Sequence, residues 1–237
     1  MDIFTRIIYL STIIVLFFSV SSCTDCIKGE GEPVLKVLEI APFESIQVTG
    51  STEVNISQGL EQKVEIRAPE NIILLLKTAV VNNTWEIAFE ECIRTKTVEI
   101  NITTPSIKDI KITGSGDVSG LNNLNVDQMK IVVTGSGTVE LLLNCREITT
   151  EITGSGDVKL TGSAISHQVA VSGSGNVNAA DFETRECKVK INGSGDAKVN
   201  ATELVEINIS GSGNVEYKDT GARVTTDITG SGDIRKK

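Results

Sequence analysis

The sequence has few of the residues from which compact cores and catalytic sites are commonly built. Aromatic residues make up 4% of its 237 residues, with 1 Trp, and there are only 4 prolines and 1 histidine. Compact cores usually use large rings, so this scarcity favours a core of stacked aliphatic side chains. Glycine, with 21 residues, is abundant. With so little proline beside it, glycine is expected to serve a regular structure and not a disordered linker.

The chain also lacks an excess of positive charge. Its formal net charge is −9 at pH 7. Nucleic-acid-binding proteins carry basic patches, so this balance argues against a nucleic-acid partner. It also argues against adsorption to an anionic membrane surface. The charge is consistent with an ordinary solvated surface.

What the sequence does contain is a repeat of Gly-Ser-Gly triplets. Seven of them follow one another at spacings of 21, 19, 19, 20, 18 and 19 residues. A near-constant period is typical of a repeat architecture. We assign the triplet glycines a structural role at turns: Gly114, Gly116, Gly135, Gly137, Gly154, Gly156, Gly173, Gly175, Gly193, Gly195, Gly211, Gly213, Gly230 and Gly232.

The residues around each triplet alternate between apolar and polar. A β-branched residue stands two positions before every triplet, from Ile112 to Ile228, and a polar residue stands one position before it. This period of two is that of a β-strand. The repeat therefore predicts strand, tight bend and strand, which is one coil of a parallel β-helix. Glycine suits the bend because it tolerates positive φ and close backbone approach.

The position after each triplet predicts how the coils stack. It is occupied by Asp117, Thr138, Asp157, Asn176, Asp196, Asn214 and Asp233. Coils stack about 4.8 Å apart, where two adjacent carboxylates would repel by about 0.9 kcal/mol in water. Alternation with neutral residues avoids this, and Asn and Thr can donate hydrogen bonds to Asp. We interpret the positions as a structural ladder. Calcium binding is the alternative, although calcium β-rolls have a shorter repeat with an Asp in every copy.

Residues 1–22 resemble a lipoprotein signal peptide. Arg6 precedes a fourteen-residue apolar run, too short to span a membrane, which leads to Val20-Ser21-Ser22-Cys23. The resemblance implies lipid attachment at Cys23 and a membrane partner reached through that anchor. An ordinary secretory signal with an incidental Cys is the alternative. The short polar stretch of residues 23–34 is predicted to be a tether.

Four other cysteines remain in this oxidising context. Four cysteines allow three connectivities, between which sequence cannot choose. Cys145 and Cys187 stand two coils apart, about 10 Å, which exceeds disulfide reach. We expect both to be reduced and Cys145 to be buried. Cys26 with Cys92 is the one bridge that we expect.

Residues 35–105 are predicted to be irregular β coils with a cap, continuous with the regular solenoid of residues 106–237. Gly50-Ser51-Thr52 looks like a degenerate triplet, and the 64 residues from Gly50 to Gly114 would hold about three longer coils. The run Ile72–Leu76 is the one candidate helical turn. Trp85 and Phe89 are expected to close this end of the core.

The last predicted strand is an open edge. Residues 235–237 are basic, a usual guard against edge-to-edge pairing. An open edge allows oligomers, whereas the basic tail favours a monomer.

No constellation in the sequence points to catalysis. The single histidine, His167, falls in a predicted connection between strands, where a surface position is expected. There is no nucleophile elbow and no metal-ligand spacing. We therefore assign no catalytic, metal or cofactor-binding residue and expect no cofactor.

The combination of lipoprotein signal, Ile46-Gln47-Val48-Thr49-Gly50, Asn83-Thr84-Trp85-Glu86-Ile87 and the Gly-Ser-Gly repeats resembles the head GIN domain auto-transporter adhesin family, also known as DUF2807. The likeness covers residues 36–237. The resemblance implies a right-handed, two-sheeted parallel β-helix, an all-β fold. It also implies that catalytic residues are absent and that the role is adhesion.

The sequence thus predicts a non-catalytic lipoprotein of the cell envelope. We expect it at the outer membrane, on its surface or periplasmic face, with a host or glycan surface ligand. The alternatives are a carbohydrate-active β-helix enzyme and a periplasmic envelope scaffold without adhesive role.

Overall fold

A computed structural model describes residues 25–95 and 97–237. About 67% of the structure is strand and 2% is helix, arranged as a β-solenoid of about seven turns. The predicted fold class is confirmed. The elements in chain order are β1 Ile27–Lys28, β2 Val34–Leu38, β3 Ser45–Gly50, β4 Glu53–Gln58, β5 Lys63–Ala68, α1 Glu70–Ile73, β6 Val80–Val81, β7 Thr84–Ile87, β8 Ile93–Arg94, β9 Glu99–Thr104, β10 Asp109–Gly114, β11 Asp117–Asn125, β12 Gln128–Gly135, β13 Thr138–Asn144, β14 Glu147–Gly154, β15 Asp157–Ser163, β16 Ser166–Gly173, β17 Asn176–Gly193, β18 Ala197–Gly211, β19 Asn214–Tyr217, β20 Arg223–Gly230 and β21 Asp233–Lys236.

The solenoid has two faces that meet at the Gly-Ser-Gly bends. The strands that enter the bends form one face, in the order β6, β7, β3, β10, β12, β14, β16, the second half of β17, the second half of β18, and β20. The strands that leave the bends form the other, in the order β2, β5, β9, β4, β11, β13, β15, the first half of β17, the first half of β18, β19 and β21. From β3 onward the pairing on the first face is parallel and keeps the triplets in register.

The core consists of inward columns of aliphatic side chains. Ile112 is level with Val133, which is level with Ile152, and each is at most 1% exposed. The residues four positions after the first glycine form the matching column on the other face, beginning with Val118 and Val139. Stacked β-branched side chains therefore fill the space that large rings fill in compact cores.

The N-terminal coils do not follow chain order, and the prediction of three coils between Gly50 and Gly114 is wrong. Strand β3 lies directly beside β10, with Gly50 level with Gly114. The degenerate triplet is thus confirmed as a coil, but it stacks on the first regular one. The intervening chain passes beyond β3 and β4 and builds the next coil outward from β7 and β9.

Antiparallel strands and a short helix cap this end. Strand β5 pairs antiparallel with β9, and β2 pairs antiparallel with β5. The helical turn predicted at Ile72–Leu76 is found earlier, as α1, which begins after Pro69 and shares only Ile72 and Ile73 with the predicted run. Trp85 is fully buried, and its Nε1 donates to the carbonyl oxygen of Lys77 at 2.9 Å. Its ring centroid lies 5.6 Å from that of Phe43.

The predicted tether is shorter than residues 23–34, because the chain is docked on the body from Cys26. Strand β1 pairs parallel with β8. The side chain of Asn71 donates to the carbonyl oxygen of Lys28 at 2.8 Å and accepts from the backbone N–H of Glu30 at 3.0 Å. These contacts, between residues that are far apart in sequence, could not be recognised from the local polar composition.

Candidate functional site

The triplet glycines lie at the bends between the two faces. Gly154 has φ of +119°, and a Cβ added there would lie 2.5 Å from the carbonyl oxygen of Gly135 on the preceding coil. That oxygen accepts the backbone N–H of Ser155 at 2.8 Å. Glycine is therefore required both for the backbone conformation and for the close approach of successive coils.

The residues after the triplets form the predicted ladder. Asp117 is level with Thr138, Thr138 with Asp157 and Asp157 with Asn176. Thr138 donates its backbone N–H to Asp117 Oδ1 at 3.1 Å, and Asn176 donates Nδ2 to Asp157 Oδ1 at 2.8 Å. Further along the ladder, Asn214 donates its backbone N–H and its Nδ2 to Asp196 Oδ1, and Asp233 donates its backbone N–H to Asn214 Oδ1. Stacking in register is confirmed.

The bends present an exposed polar strip along the solenoid, which we call the corner ribbon. In each coil it contains one residue before the triplet, the triplet serine, and the residue after the triplet, and all of these are exposed. The corner ribbon comprises Thr113, Ser115, Asp117, Thr134, Ser136, Thr138, Thr153, Ser155, Asp157, Ser172, Ser174, Asn176, Asn192, Ser194, Asp196, Ser210, Ser212, Asn214, Thr229, Ser231 and Asp233. Hydroxyls, amides and carboxylates thus repeat about every 4.8 Å.

At its N-terminal end the corner carries three adjacent carboxylates. Glu53 is level with Asp117 on one side and with Glu99 on the other. All three line a cavity of about 640 Å³ between the bend at Gly50 and the loop that contains Cys92. Glu99 Oε1 accepts from Asn55 Nδ2 at 3.3 Å and from Asn101 Nδ2 at 3.2 Å. Counting along the sequence could have placed Glu53 beside Asp117, because Glu53 follows Gly50 at the spacing at which Asp117 follows Gly114. The incorrect prediction of three coils between Gly50 and Gly114 hid this relationship.

His167 is buried, and the prediction that it lies in a surface connection is wrong. It sits in β16 with 1% of its surface exposed, and its Nε2 lies 3.0 Å from Thr150 Oγ1. Burial lowers the pKa of His167 to about 3. Its ring meets that of Phe182 edge-on at 5.7 Å. This is a neutral polar pair within an apolar core, level with Ile148 and Cys187.

The cysteines of the described residues form one disulfide and leave two thiols. Cys26 and Cys92 form a disulfide in the structure. Cys187 is buried, and burial raises the pKa of its thiol to about 12. Cys145 is half-buried, not buried as expected, because it lies in the turn between β13 and β14. Its thiol pKa is also raised to about 12, chiefly by desolvation and then by Asp127. Cys23, the predicted site of lipid attachment, lies outside the described residues.

Within residues 25–95 and 97–237, no group of three or more His, Cys, Asp or Glu side chains is arranged to hold a metal ion. Among those residues, no helix has the length and apolar character needed to cross a bilayer. The most regular chemistry at the surface is the corner ribbon.

Fold and surface define a β-solenoid repeat protein with a long polar ribbon along one corner. A family model described as "Putative auto-transporter adhesin, head GIN domain" matches residues 42–221. The chain therefore belongs to this family, as the resemblance implied. The family is described by adhesion and not by an enzymatic activity, and it indicates a protein of the cell envelope or cell surface.

Solved structures share the fold. A "putative adhesin" from Bacteroides fragilis is 27% identical, with a TM-score of 0.84 over 89% of this chain and 100% of that chain. A "putative lipid binding protein" from Parabacteroides distasonis is 24% identical, with a TM-score of 0.75 over 89% of this chain and 99% of that one. A "putative adhesin" from the same species is 23% identical, with a TM-score of 0.73 over 90% and 100%. No curated protein sequence matches the chain significantly.

Proposed function

We propose that the protein is a non-catalytic, lipid-anchored protein of the cell envelope that binds a surface ligand through its corner ribbon. The observation that carries this proposal is the ribbon itself. Its side chains point outward, are exposed in every regular coil and repeat in register. A catalytic site would need different groups converging on one reacting atom. A ribbon that repeats the same few groups suits repeated contacts with an extended partner.

The chemistry of the ribbon favours a polar ligand such as a glycan on a host or neighbouring cell. Hydroxyl and amide groups donate and accept hydrogen bonds, and their carboxylate neighbours only accept. Each contact contributes little by itself, but a series of identical sites can act together on a ligand that also repeats. The lipid anchor at Cys23 would hold this series at a membrane.

Two measurements test the proposal. Protease treatment of intact cells followed by immunoblotting should cut the protein without lysis if the ribbon faces outward. A deletion strain should then bind host cells or immobilised glycans less well than its parent. Protein that survives until the outer membrane is opened, together with unchanged binding by the deletion strain, would replace adhesion with the envelope-scaffold alternative.

Matched variants assign the binding to the ribbon. Ser136→Lys, Ser155→Lys and Ser174→Lys together place three cations on it. The control triple, Gln168→Lys, Ala170→Lys and Asn208→Lys, places the same charge on exposed residues of the first face outside the ribbon. Binding should be lost with the first triple and kept with the second. Equal loss with both would show that added charge, and not the ribbon, is responsible.

A further inference from the structure

The chain is fixed to the body of the solenoid immediately after the predicted lipid-attachment site. The Cys26–Cys92 disulfide is the first link. The backbone N–H of Ile27 donates to the carbonyl oxygen of Cys92 at 2.7 Å, and that of Gly29 donates to Arg94 at 3.0 Å. With the contacts of Asn71 to Lys28 and Glu30, the chain has little freedom from Cys26 onward.

This attachment leaves a short linker between the predicted lipid-attachment site at Cys23 and the body of the solenoid. Only Thr24 and Asp25 stand between Cys23 and Cys26. Three steps of 3.8 Å between Cα atoms extend to about 11 Å at most. A lipid on Cys23 would therefore hold the loop around Cys92 within roughly that distance of the bilayer surface. Without the disulfide and β1, the linker would continue to the start of β2.

The end of the solenoid beside this linker also exposes apolar side chains. In β2, Leu35 is 64% exposed and Val37 is 53% exposed, and both lie on the outer side with Arg67 and Glu65. Leu74, at the end of α1, is 73% exposed, and Val81, in β6, is 64% exposed. Strands β2 and β6 are the last strands of the two faces, and α1 lies in the segment that joins β5 to β6.

We propose that the N-terminal end of the solenoid is a membrane-seating surface. Its occupant is the bilayer that carries the anchor, contacted in the headgroup region by Leu35, Val37, Leu74 and Val81. The disulfide holds this end against the bilayer surface, so the later coils and most of the corner ribbon extend away from the membrane. This inference rests on the proposed lipid anchor and adds an orientation to it.

Hydrogen exchange read by mass spectrometry tests the seating. The lipidated full-length product is reconstituted in phosphatidylcholine–phosphatidylethanolamine vesicles and compared with the same protein in detergent. The amides of residues 34–38 and 73–83 should exchange about tenfold more slowly on vesicles, because lipid contact excludes water. Residues 204–217 of the later coils should not change. No slowing at the N-terminal end, or slowing in the later coils instead, would overturn the proposal.

A second arm separates the seating surface from the anchor. Measurement of the intact mass first establishes that Cys23 carries lipid. If the lipid is absent, the proposed anchor is contradicted, but the membrane-seating surface is not. Residues 24–237 carrying an N-terminal histidine tag are then held on vesicles with nickel-chelating lipids, and exchange is measured again. Slowing in residues 34–38 and 73–83 supports the seat without any native lipid, and no slowing overturns it.

Variants identify the contacts. Leu35→Ser with Leu74→Ser should abolish the slowing in both arms. Leu121→Ser with Leu142→Ser changes exposed leucines of the regular coils and should leave it intact. Cys26→Ser with Cys92→Ser lengthens the linker and should weaken the slowing of amide exchange in the lipidated protein. Identical slowing in all three variants would contradict the proposed surface.

Discussion

Asn176 binds its ladder neighbour Asp157 through a hydrogen bond of 2.8 Å from Nδ2 to Oδ1. On the other side, its own Oδ1 accepts the backbone N–H of Asp196 at 3.2 Å. One amide thus separates two carboxylates and is bonded to both coils. An aspartate could accept the second bond but not donate the first. The choice between Asn and Asp is therefore dictated by the position in the stack.

Asn176→Asp should destabilise the solenoid. It places three carboxylates in succession, and each new pair at about 4.8 Å contributes about 0.9 kcal/mol of repulsion in water, before salt screening. It also removes the donated hydrogen bond. We expect a loss of about 1–2 kcal/mol in the free energy of unfolding, measured by urea denaturation, and a smaller loss in high salt.

Asn178→Asp is the matched control for this substitution. Asn178 lies in the next outward column of the same strand, level with Lys159 and Lys198. A carboxylate there gains two cationic neighbours, so stability should stay constant or rise. Equal destabilisation by both substitutions would contradict the account of the ladder.

The pH dependence of stability should reveal the buried His167. Its pKa is about 3 in the folded protein, against 6.5 for the free side chain. Because the folded pKa is the lower one, the stabilisation is fully present above pH 6.5 and is lost as the pH falls toward 3. Between pH 6.5 and pH 5 the free energy of unfolding should drop by about 2 kcal/mol from this group.

The double variant His167→Met with Thr150→Val should flatten that profile. Both replacements occur naturally in these inward columns, as Met129 and Val169. Removing both polar partners leaves no buried group unpaired, so stability at pH 7 should be kept. Denaturation curves at pH 5 and pH 7 provide the measurement. A slope equal to that of the unaltered protein would assign the effect to other groups.

The bend glycines allow the effect of backbone conformation to be separated from that of stacking. Gly50 has φ of +97° with nothing within 4 Å of an added Cβ, whereas at Gly154 the added Cβ meets the preceding coil. Gly50→Ala should cost about 1–3 kcal/mol from backbone strain. Gly154→Ala should cost at least about 2 kcal/mol more, because the coils must separate. Thermal denaturation distinguishes the two, and equal losses would show that close approach is unimportant.

The triplets made the regular coils predictable from sequence. They mark the same point in every coil, so columns such as Ile112, Val133 and Ile152 follow by counting. The same count, six residues before the triplet, puts His167 in a column with Ile148 and Cys187 and would have shown that it is buried. The residues immediately around His167 favoured a connection between strands, so the register with Ile148 and Cys187 was missed.

The N-terminal end was less predictable because its partners are distant in sequence. Nothing in β5 itself shows that it runs antiparallel to β9, or that β7 and β9 stack outside β3 and β4. These pairings depend on which apolar faces remain uncovered after the coils form. The cavity beside Glu53 is a consequence of that arrangement, and so it could not be found from a linear count of coils.

Glu53→Gln provides the reverse test of the ladder. Glu53 lies between Glu99 and Asp117, so like charges are adjacent there without the neutral spacer found in the regular coils. Neutralising it removes two repulsions at once, each about 0.9 kcal/mol at 4.8 Å in water. We expect stability to rise by about 1 kcal/mol at low salt after screening, and by less as salt is added. Glu140→Gln is the control, because Glu140 pairs with Lys159 and its neutralisation should not stabilise. A loss of stability in Glu53→Gln would mean that the carboxylate of Glu53 is favourable where it stands, and would direct attention to a cationic ligand in the cavity.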